Sequence, residues 1–231
     1  MAQRARACGL ERVLLTALGP WRPPSAVHDP AKIVADLAIA VALGADRAAD
    51  IAVVRAQPEA FGVVASNPTV SRLIDRLADD ADRALGAIRG TRAAARARVW
   101  GQAGTPRQAG LVVLDLDATQ VTAHSEKEWA AKTWKKGFGF HHLLAYVDHG
   151  DGGTGEPVAG LLRRGNAGSN TTADHITVLD ALTRLPESDR TIDEHGRRAI
   201  LVRTDAAGAP HGFAARIHEL GMQFSLGAYL H

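Results

Sequence analysis

The clearest hydrophobic pattern in the chain is the apolar run from Leu111 to Val121, which carries two acids two residues apart. Its length and its β-branched residues predict a buried strand. Because side chains alternate across a strand, Asp115 and Asp117 should lie on one face, roughly 7 Å apart. A divalent cation bound by both would offset the cost of burying two like charges. Alternatively, one acid forms a local hydrogen bond and the other ends the strand in a turn.

The pattern before residue 110 is helical, with apolar residues at helical spacing between short breaks. Asp29 and Pro30 predict the start of a helix that Gly44 ends. Thr69, after another break, should cap a later helix. Short helices separated by turns are typical of a helix-turn-helix domain, although an ordinary helical bundle would show the same pattern.

The pattern after residue 110 alternates strands and helices. The predicted strands are residues 111–121, 142–148, 157–162, 199–205 and 223–229. A helix before the fourth strand can return it parallel to the first, which would bring Asp205 beside Asp115 or Asp117. The fold class is therefore a mixed α/β sheet in residues 110–231, preceded by a helical domain in residues 1–109.

Composition limits the remaining classes of protein. The chain has 231 residues and a net charge of +2, so the overall charge does not by itself indicate a polyanionic partner. Cys8 is the only cysteine, which excludes an intramolecular disulfide and favours a cytoplasmic protein. No apolar run is long enough to span a membrane, so we expect no membrane partner.

The distribution of basic residues is more informative than the net charge. Residues 83–107 contain six arginines and no acid, residues 132–140 interleave lysines with aromatic rings, and residues 163–170 are predicted to form a basic loop. Such segments suit phosphate contacts and base stacking. The side chains assigned to double-stranded DNA are Arg89, Arg92, Arg96, Lys132, Lys135, Lys136, Arg163 and Arg164. The alternatives are a solvated helix face and a hairpin whose rings are buried.

Several separate blocks of the sequence resemble the DDE group 1 branch of bacterial insertion-sequence transposases. These enzymes are RNase H-like and carry an Asp-Asp-Glu triad. The similar blocks are residues 28–33, 67–73, 111–121, 136–141, 155–157, 161–170 and 201–205. The similarity thus covers nearly the whole chain from about residue 10, and is far more specific than an Asp-x-Asp motif alone.

The resemblance implies the site and its chemistry. Asp117 and Asp205 match the first two acids of the triad and would hold Mg²⁺ or Mn²⁺, with Asp115 and Thr119 assisting. The implied reaction is metal-dependent cleavage of DNA at the element ends, followed by strand transfer into target DNA. A DNA-associated protein in the cytoplasm is expected, with a homodimer in the full-length form.

The third acid of the triad is the point at which the sequence departs from this family. Family members carry it as a glutamate on a helix beyond a further stretch of sheet. Here the last acid is Glu219, on the helix before the final predicted strand. We therefore expect a C-terminally truncated, incomplete catalytic core that is inactive alone.

Two alternatives remain open. The segment from Asp115 to Thr119 also fits the Asp-x-Asp-x-Thr pattern of haloacid-dehalogenase-like phosphatases, with Asp115 as the nucleophile and Asp117 as the acid/base. Those enzymes need a later lysine, and no lysine follows Lys136. The other alternative is a non-catalytic remnant that only binds DNA.

Overall fold

The structure is a computed structural model that describes residues 7–151, 153, 155–168, 171–205 and 210–227. The chain divides into two compact units, Met1–Gln102 and Ala103–His231. The boundary proposed from the sequence, between residues 109 and 110, falls a few residues later along the chain.

The first unit is built from helices in the part that is described. They are α1 (Leu10–Leu18), α2 (Pro30–Ala42), α3 (Ala52–Arg55), α4 (Pro58–Phe61), α5 (Asn67–Ala78) and α6 (Ala81–Ala103), with short 3₁₀ turns at Gly19–Trp21 and Ala48–Ile51. One core cluster contains Ile33, Ile51, Val54 and Leu73. The apolar faces of α2, α3 and α5 therefore pack together.

The starts of α2 and α5 can be compared with the starts predicted from the sequence. The carboxylate of Asp29 accepts the N–H of Ala31 at 2.8 Å, and α2 begins at Pro30, which confirms the predicted start. The predicted cap at Thr69 is wrong, because α5 already begins at Asn67. Pro68 sits in the first turn, where the missing N–H of proline costs no intrahelical hydrogen bond.

The second unit contains the sheet. Its strands are β1 (Val112–Thr122), β2 (Ala131–Lys132), β3 (Phe138–Asp148), β4 (Glu156–Leu161), β5 (Ile200–Thr204) and β6 (Gln223–Leu226). Among the described residues they form one six-stranded mixed sheet in the order β2-β3-β1-β5-β6, with β4 also paired to β3. Helix α7 (Thr172–Leu179) precedes β5, and α8 (His211–Glu219) lies between β5 and β6. The mixed α/β class is confirmed.

The pairing of β1 decides where the acids lie. β1 is antiparallel to β3 on one side and parallel to β5 on the other. The parallel pairing confirms that the fourth main strand returns beside the first. The strand predicted over residues 223–229 is β6 as far as Leu226, and residues 228–229 lie outside the described part of the chain.

The two faces of β1 differ in exposure. Val112, Leu114 and Leu116 are buried, whereas Asp117 and Thr119 on the other face are exposed. Buried side chains of α7 and α8, such as Val178 and Phe213, complete the core of the unit. The alternation follows from the two-residue period of a strand and leaves the acids on the open face. None of the described helices is long and apolar enough to cross a membrane.

Candidate active site at the carboxyl ends of β1 and β5

The parallel register brings the two predicted triad acids together along the sheet edge. Leu116 pairs with Thr204 at the end of the ladder, so Asp117 and Asp205 are the next residues of the two neighbouring strands. Both acids are exposed. Adjacent strands are about 4.8 Å apart, so the backbones of these acids run side by side just beyond the last pair of the β1–β5 ladder, while β1 itself continues beside β3.

Asp115 lies one step deeper in the same ladder and is already engaged. Arg203, its register partner on β5, donates from Nε to Oδ1 at 2.6 Å and from Nη2 to Oδ2 at 2.7 Å. The same Nη2 also donates to Oδ2 of Asp148, the last residue of β3. One guanidinium thus joins three strands through charge-assisted hydrogen bonds.

The hydrogen bonds of this network also shift the pKa values of Asp148 and Arg203. A hydrogen bond from Gln108, the backbone N–H of Gly150 and the Arg203 guanidinium all lower the pKa of Asp148. The hydrogen bonds from Arg203 to Asp115 and then to Asp148 raise the pKa of the guanidinium further above its usual value, so Arg203 and Asp148 stay charged at neutral pH. Asp148 pairs with Val113 of β1, so this network lies deeper in the sheet than Asp117 and Asp205.

Sequence reasoning missed Arg203 and Asp148. The available signal was the position of Arg203 in Leu201-Val202-Arg203-Thr204-Asp205, two residues before the second acid, on the same face of the predicted strand. That signal becomes a contact only when the register between β1 and β5 is known. The phosphatase hypothesis loses support here, because both oxygens of its nucleophile, Asp115, accept hydrogen bonds from Arg203.

A buried basic group lies on the loop that follows β4. Arg163 donates from Nε to the carbonyl oxygen of His141 at 3.0 Å, and from Nη1 to the carbonyl of Gly168 at 2.9 Å and to Asp174 at 3.1 Å. Its side chain is only 4% exposed. This burial argues against a DNA contact for Arg163, because its guanidinium fixes the loop from inside. The neighbouring Arg164 is exposed.

A buried histidine, His175 on α7, lies within electrostatic reach of the second acid. Its Nδ1 is 2.9 Å from the carbonyl oxygen of Thr171, and its ring packs 5.1 Å from that of Phe213, centroid to centroid. Burial lowers the pKa of His175, and Arg163 lowers it further, whereas Asp205 acts in the opposite direction. A neutral imidazole therefore lies behind the site.

The lysine-rich segment between β2 and β3 forms an exposed turn. Lys132, Lys135 and Lys136 are exposed, and Trp134 is 73% exposed. The indole Nε1 of Trp134 donates to the carbonyl oxygen of Asn166 at 3.1 Å, which ties the turn to the loop after β4. The segment is thus a hairpin, but its tryptophan lies at the surface and not in the core.

The arginines of α6 do not form one exposed stripe. Arg92 is exposed, Arg89 is half-buried and Arg96 is only 4% exposed. Burial argues against a DNA contact for Arg96, because the protein encloses this side chain as it does the neighbouring Ala95.

The carboxylates of Asp117 and Asp205 could serve as the protein ligands of a divalent cation. Within the described residues, no group of three or more His, Cys, Asp or Glu side chains is placed to hold a metal ion. Asp117 and Asp205 are the candidate pair because the register of β1 and β5 makes them neighbours, and carboxylate oxygens are the ligands that Mg²⁺ prefers. Glu219, the last acid in the sequence, forms an ion pair with Arg216 at 3.1 Å on α8.

Comparison with known families completes the assignment. The family model described as transposase DDE domain group 1 matches residues 1–229, almost the entire chain. A search of curated proteins gave no significant match. DDE transposases bind and recombine DNA and generally use divalent metal ions, and the six-stranded mixed sheet of the described residues is consistent with their RNase H-like domain. The chain belongs to the DDE group 1 family of transposases.

Proposed function

We propose that this chain acts as the metal-dependent DNA transposase of an insertion sequence, with Asp117 and Asp205 as the carboxylates that hold Mg²⁺ or Mn²⁺. The observation that carries the proposal is the parallel register of β1 and β5, in which these acids follow the last ladder pair, Leu116 and Thr204. The reaction proposed is cleavage of DNA at the element ends and strand transfer. We place it in the cytoplasm, with the DNA.

The fit of a divalent cation rests on the chemistry of the site residues. Two exposed carboxylates just beyond the last pair of the β1–β5 ladder would supply hard oxygen ligands without the cost of burying like charges. A cation bound there would lower the pKa of a water molecule and neutralise the charge of a DNA phosphate. The exposed face of β1, including Thr119, leaves room for a DNA strand to approach both acids.

The protein's own basic groups would position the DNA. Lys132, Lys135 and Lys136 occupy one exposed turn, and Arg164 lies on the loop to which Trp134 is hydrogen bonded. Lysine and arginine side chains bind phosphates through counterion release, without reading the sequence of the bases. We therefore propose that this surface holds the DNA backbone, and that Arg92 of the first unit adds a further contact.

The test measures metal binding and DNA cleavage on the same proteins. Calorimetric titration with Mn²⁺ should show binding by the wild type that D117N and D205N each weaken at least about tenfold, since each substitution removes an anionic ligand. E194Q removes a charge from a side chain that is 86% exposed and serves as the control. Equal Mn²⁺ binding by wild type and a D117N/D205N double mutant would refute the proposed site.

The cleavage assay uses DNA that carries the terminal repeats of the element, with Mg²⁺ or Mn²⁺. Cleavage that D205N abolishes would support the catalytic proposal, whereas cleavage that survives in the double mutant would contradict it. Mn²⁺ binding by a wild type that does not cut DNA would support the metal site and contradict the catalytic proposal.

A further inference from the structure

We propose that Arg203 is a positioning residue for the metal site. Its guanidinium neutralises Asp115 and Asp148, and thereby directs a divalent cation to Asp117 and Asp205. The inference rests on the proposed function in one respect, namely that Asp117 and Asp205 hold the cation.

The geometry shows a guanidinium in a place that a cation would otherwise fill. Oδ2 of Asp115 and Oδ2 of Asp148 both accept from Nη2 of Arg203, so the two oxygens lie close enough to share one small cation in its place. The other oxygen of Asp115 accepts from Nε, and that of Asp148 accepts from the N–H of Gly150 at 2.8 Å. Arg203 thus engages both acids, and through them holds β1 and β3 against β5.

The charge balance explains why the site needs this residue. Asp115 and Asp117 lie on the same face of β1, roughly 7 Å apart by the rise of a strand. Without Arg203, Asp115 and Asp148 would form a second pair of carboxylates, deeper in the sheet than Asp117 and Asp205. A divalent cation would then have two competing places, only one of which is formed by the exposed acids beyond the β1–β5 ladder.

An arginine suits this role better than a lysine. The guanidinium is planar and donates through several N–H groups in a fixed fork, so it can bind Asp115 with two bonds and still reach Asp148. The three side chains are only 26–38% exposed, which limits competition from water. An ammonium would supply the charge but not the two-pronged geometry.

The first test counts the Mn²⁺ ions bound, by calorimetry and by electron paramagnetic resonance of free Mn²⁺, on variants whose fold is checked by circular dichroism. R203Q should bind one Mn²⁺ more than the wild type, because Asp115 and Asp148 become an uncompensated pair. The additional ion should disappear in R203Q/D115N and remain in R203Q/D117N. R203K should keep the wild-type number of ions, because the ammonium supplies the same charge.

The second test does not depend on the stability of R203Q alone. D115N leaves Arg203 with one carboxylate fewer, so the positive charge near Asp117 rises and Mn²⁺ affinity should fall about three- to tenfold. D115N/R203Q has the same formal charge as the wild type and should recover that affinity. If R203Q does not fold, the comparison of these two variants decides the question.

Two results would overturn the inference. One is a wild-type number of Mn²⁺ ions in folded R203Q, and the other is an unchanged Mn²⁺ affinity in D115N. Either would make Arg203 an ordinary surface ion pair. A wild-type protein that binds no Mn²⁺ would refute the proposed function and, with it, the direction of a cation to Asp117 and Asp205. A gain of one ion in R203Q would then still show that Arg203 keeps a cation away from Asp115 and Asp148, which distinguishes the two failures.

Discussion

Two acids that share one strand face have different surroundings in this protein. Asp115 is held by Arg203 at both oxygens, whereas Asp117, two residues later, is exposed just beyond the β1–β5 ladder. The residue type and the strand face are the same for both, so the difference comes from the neighbouring strand. Where β5 places an arginine beside the acid, the two side chains form an ion pair. Where β5 places another acid, we propose that the pair binds a cation.

At the residue scale, the buried His175 and the half-buried His142 make stability depend on pH. Burial lowers the pKa of His175 and of His142, so the unfolded chain binds protons there before the folded chain does. The stabilisation is therefore fully present above pH 6.5 and is lost as the pH falls from 6.5 through the lower folded pKa values. Each histidine can contribute at most about 1.4 kcal/mol per pH unit.

The check is urea denaturation of the wild type and of H175Q at pH 7, 6 and 5. The free energy of unfolding should fall less steeply with decreasing pH in H175Q, whatever its absolute stability. H195Q, a change at a side chain that is 63% exposed, is the control for the substitution itself. An H175Q slope as steep as that of the wild type would show that His175 does not carry this pH dependence.

At the scale of elements, glycines have opposite effects on stability: they weaken helix α6, whereas the loop after β4 requires one for its packing. Helix α6 runs for 23 residues and contains Gly86, Gly90 and Gly101, where an added Cβ would meet no atom within 4 Å. At Gly165, a Cβ would overlap the backbone carbonyl oxygens of Ala131 and Gly139. The helix thus tolerates glycine at a cost, whereas the loop needs it to pack against the β2–β3 hairpin.

Two alanine substitutions test this contrast through the free energy of unfolding in urea. G90A should raise it by about 0.5–1 kcal/mol, because alanine has the better helix propensity and restricts the unfolded chain. G165A should lower it by about 1–3 kcal/mol, because the backbone must move to accommodate the methyl group. A neutral effect of G165A would mean that the close approach of the loop to the hairpin is unimportant for stability.

At the scale of the whole molecule, the net charge of +2 conceals a concentration of exposed cations on the turn between β2 and β3. Three lysines lie within five residues there, and Arg164 is exposed on the loop that Trp134 contacts. The arginines of α6 are divided between surface and interior, so the lysine turn is the better candidate for binding phosphates.

We expect K132A/K135A/K136A to bind duplex DNA with a weaker salt dependence than the wild type. The slope of log affinity against log salt concentration should fall by up to about 3, roughly one for each phosphate that the variant no longer neutralises. The control R47A/R197A/R216A removes the same formal charge from exposed arginines that are paired with acids. Fluorescence anisotropy across a salt series measures both slopes, and equal slopes would exclude the lysine turn as a phosphate-binding surface.

The sequence by itself determined the features that depend on residues a few positions apart. The apolar run of β1, the Asp29 cap of α2 and the order of strands and helices in the second unit are of this kind, because periodicity, capping and turn formation are local. The prediction that β1 and β5 would be parallel neighbours also came from this order. The family resemblance added the choice of Asp117 and Asp205.

Only the tertiary structure decided which charged groups meet. Arg203 reaches Asp115 across 88 positions of sequence, and that interaction exists because the ladder pairs these two residues and not their neighbours. A shift of one residue would turn the partners to opposite faces of the sheet. Burial of Arg96 and Arg163 was likewise decided by packing, because a pattern of basic residues does not say which of them the fold encloses.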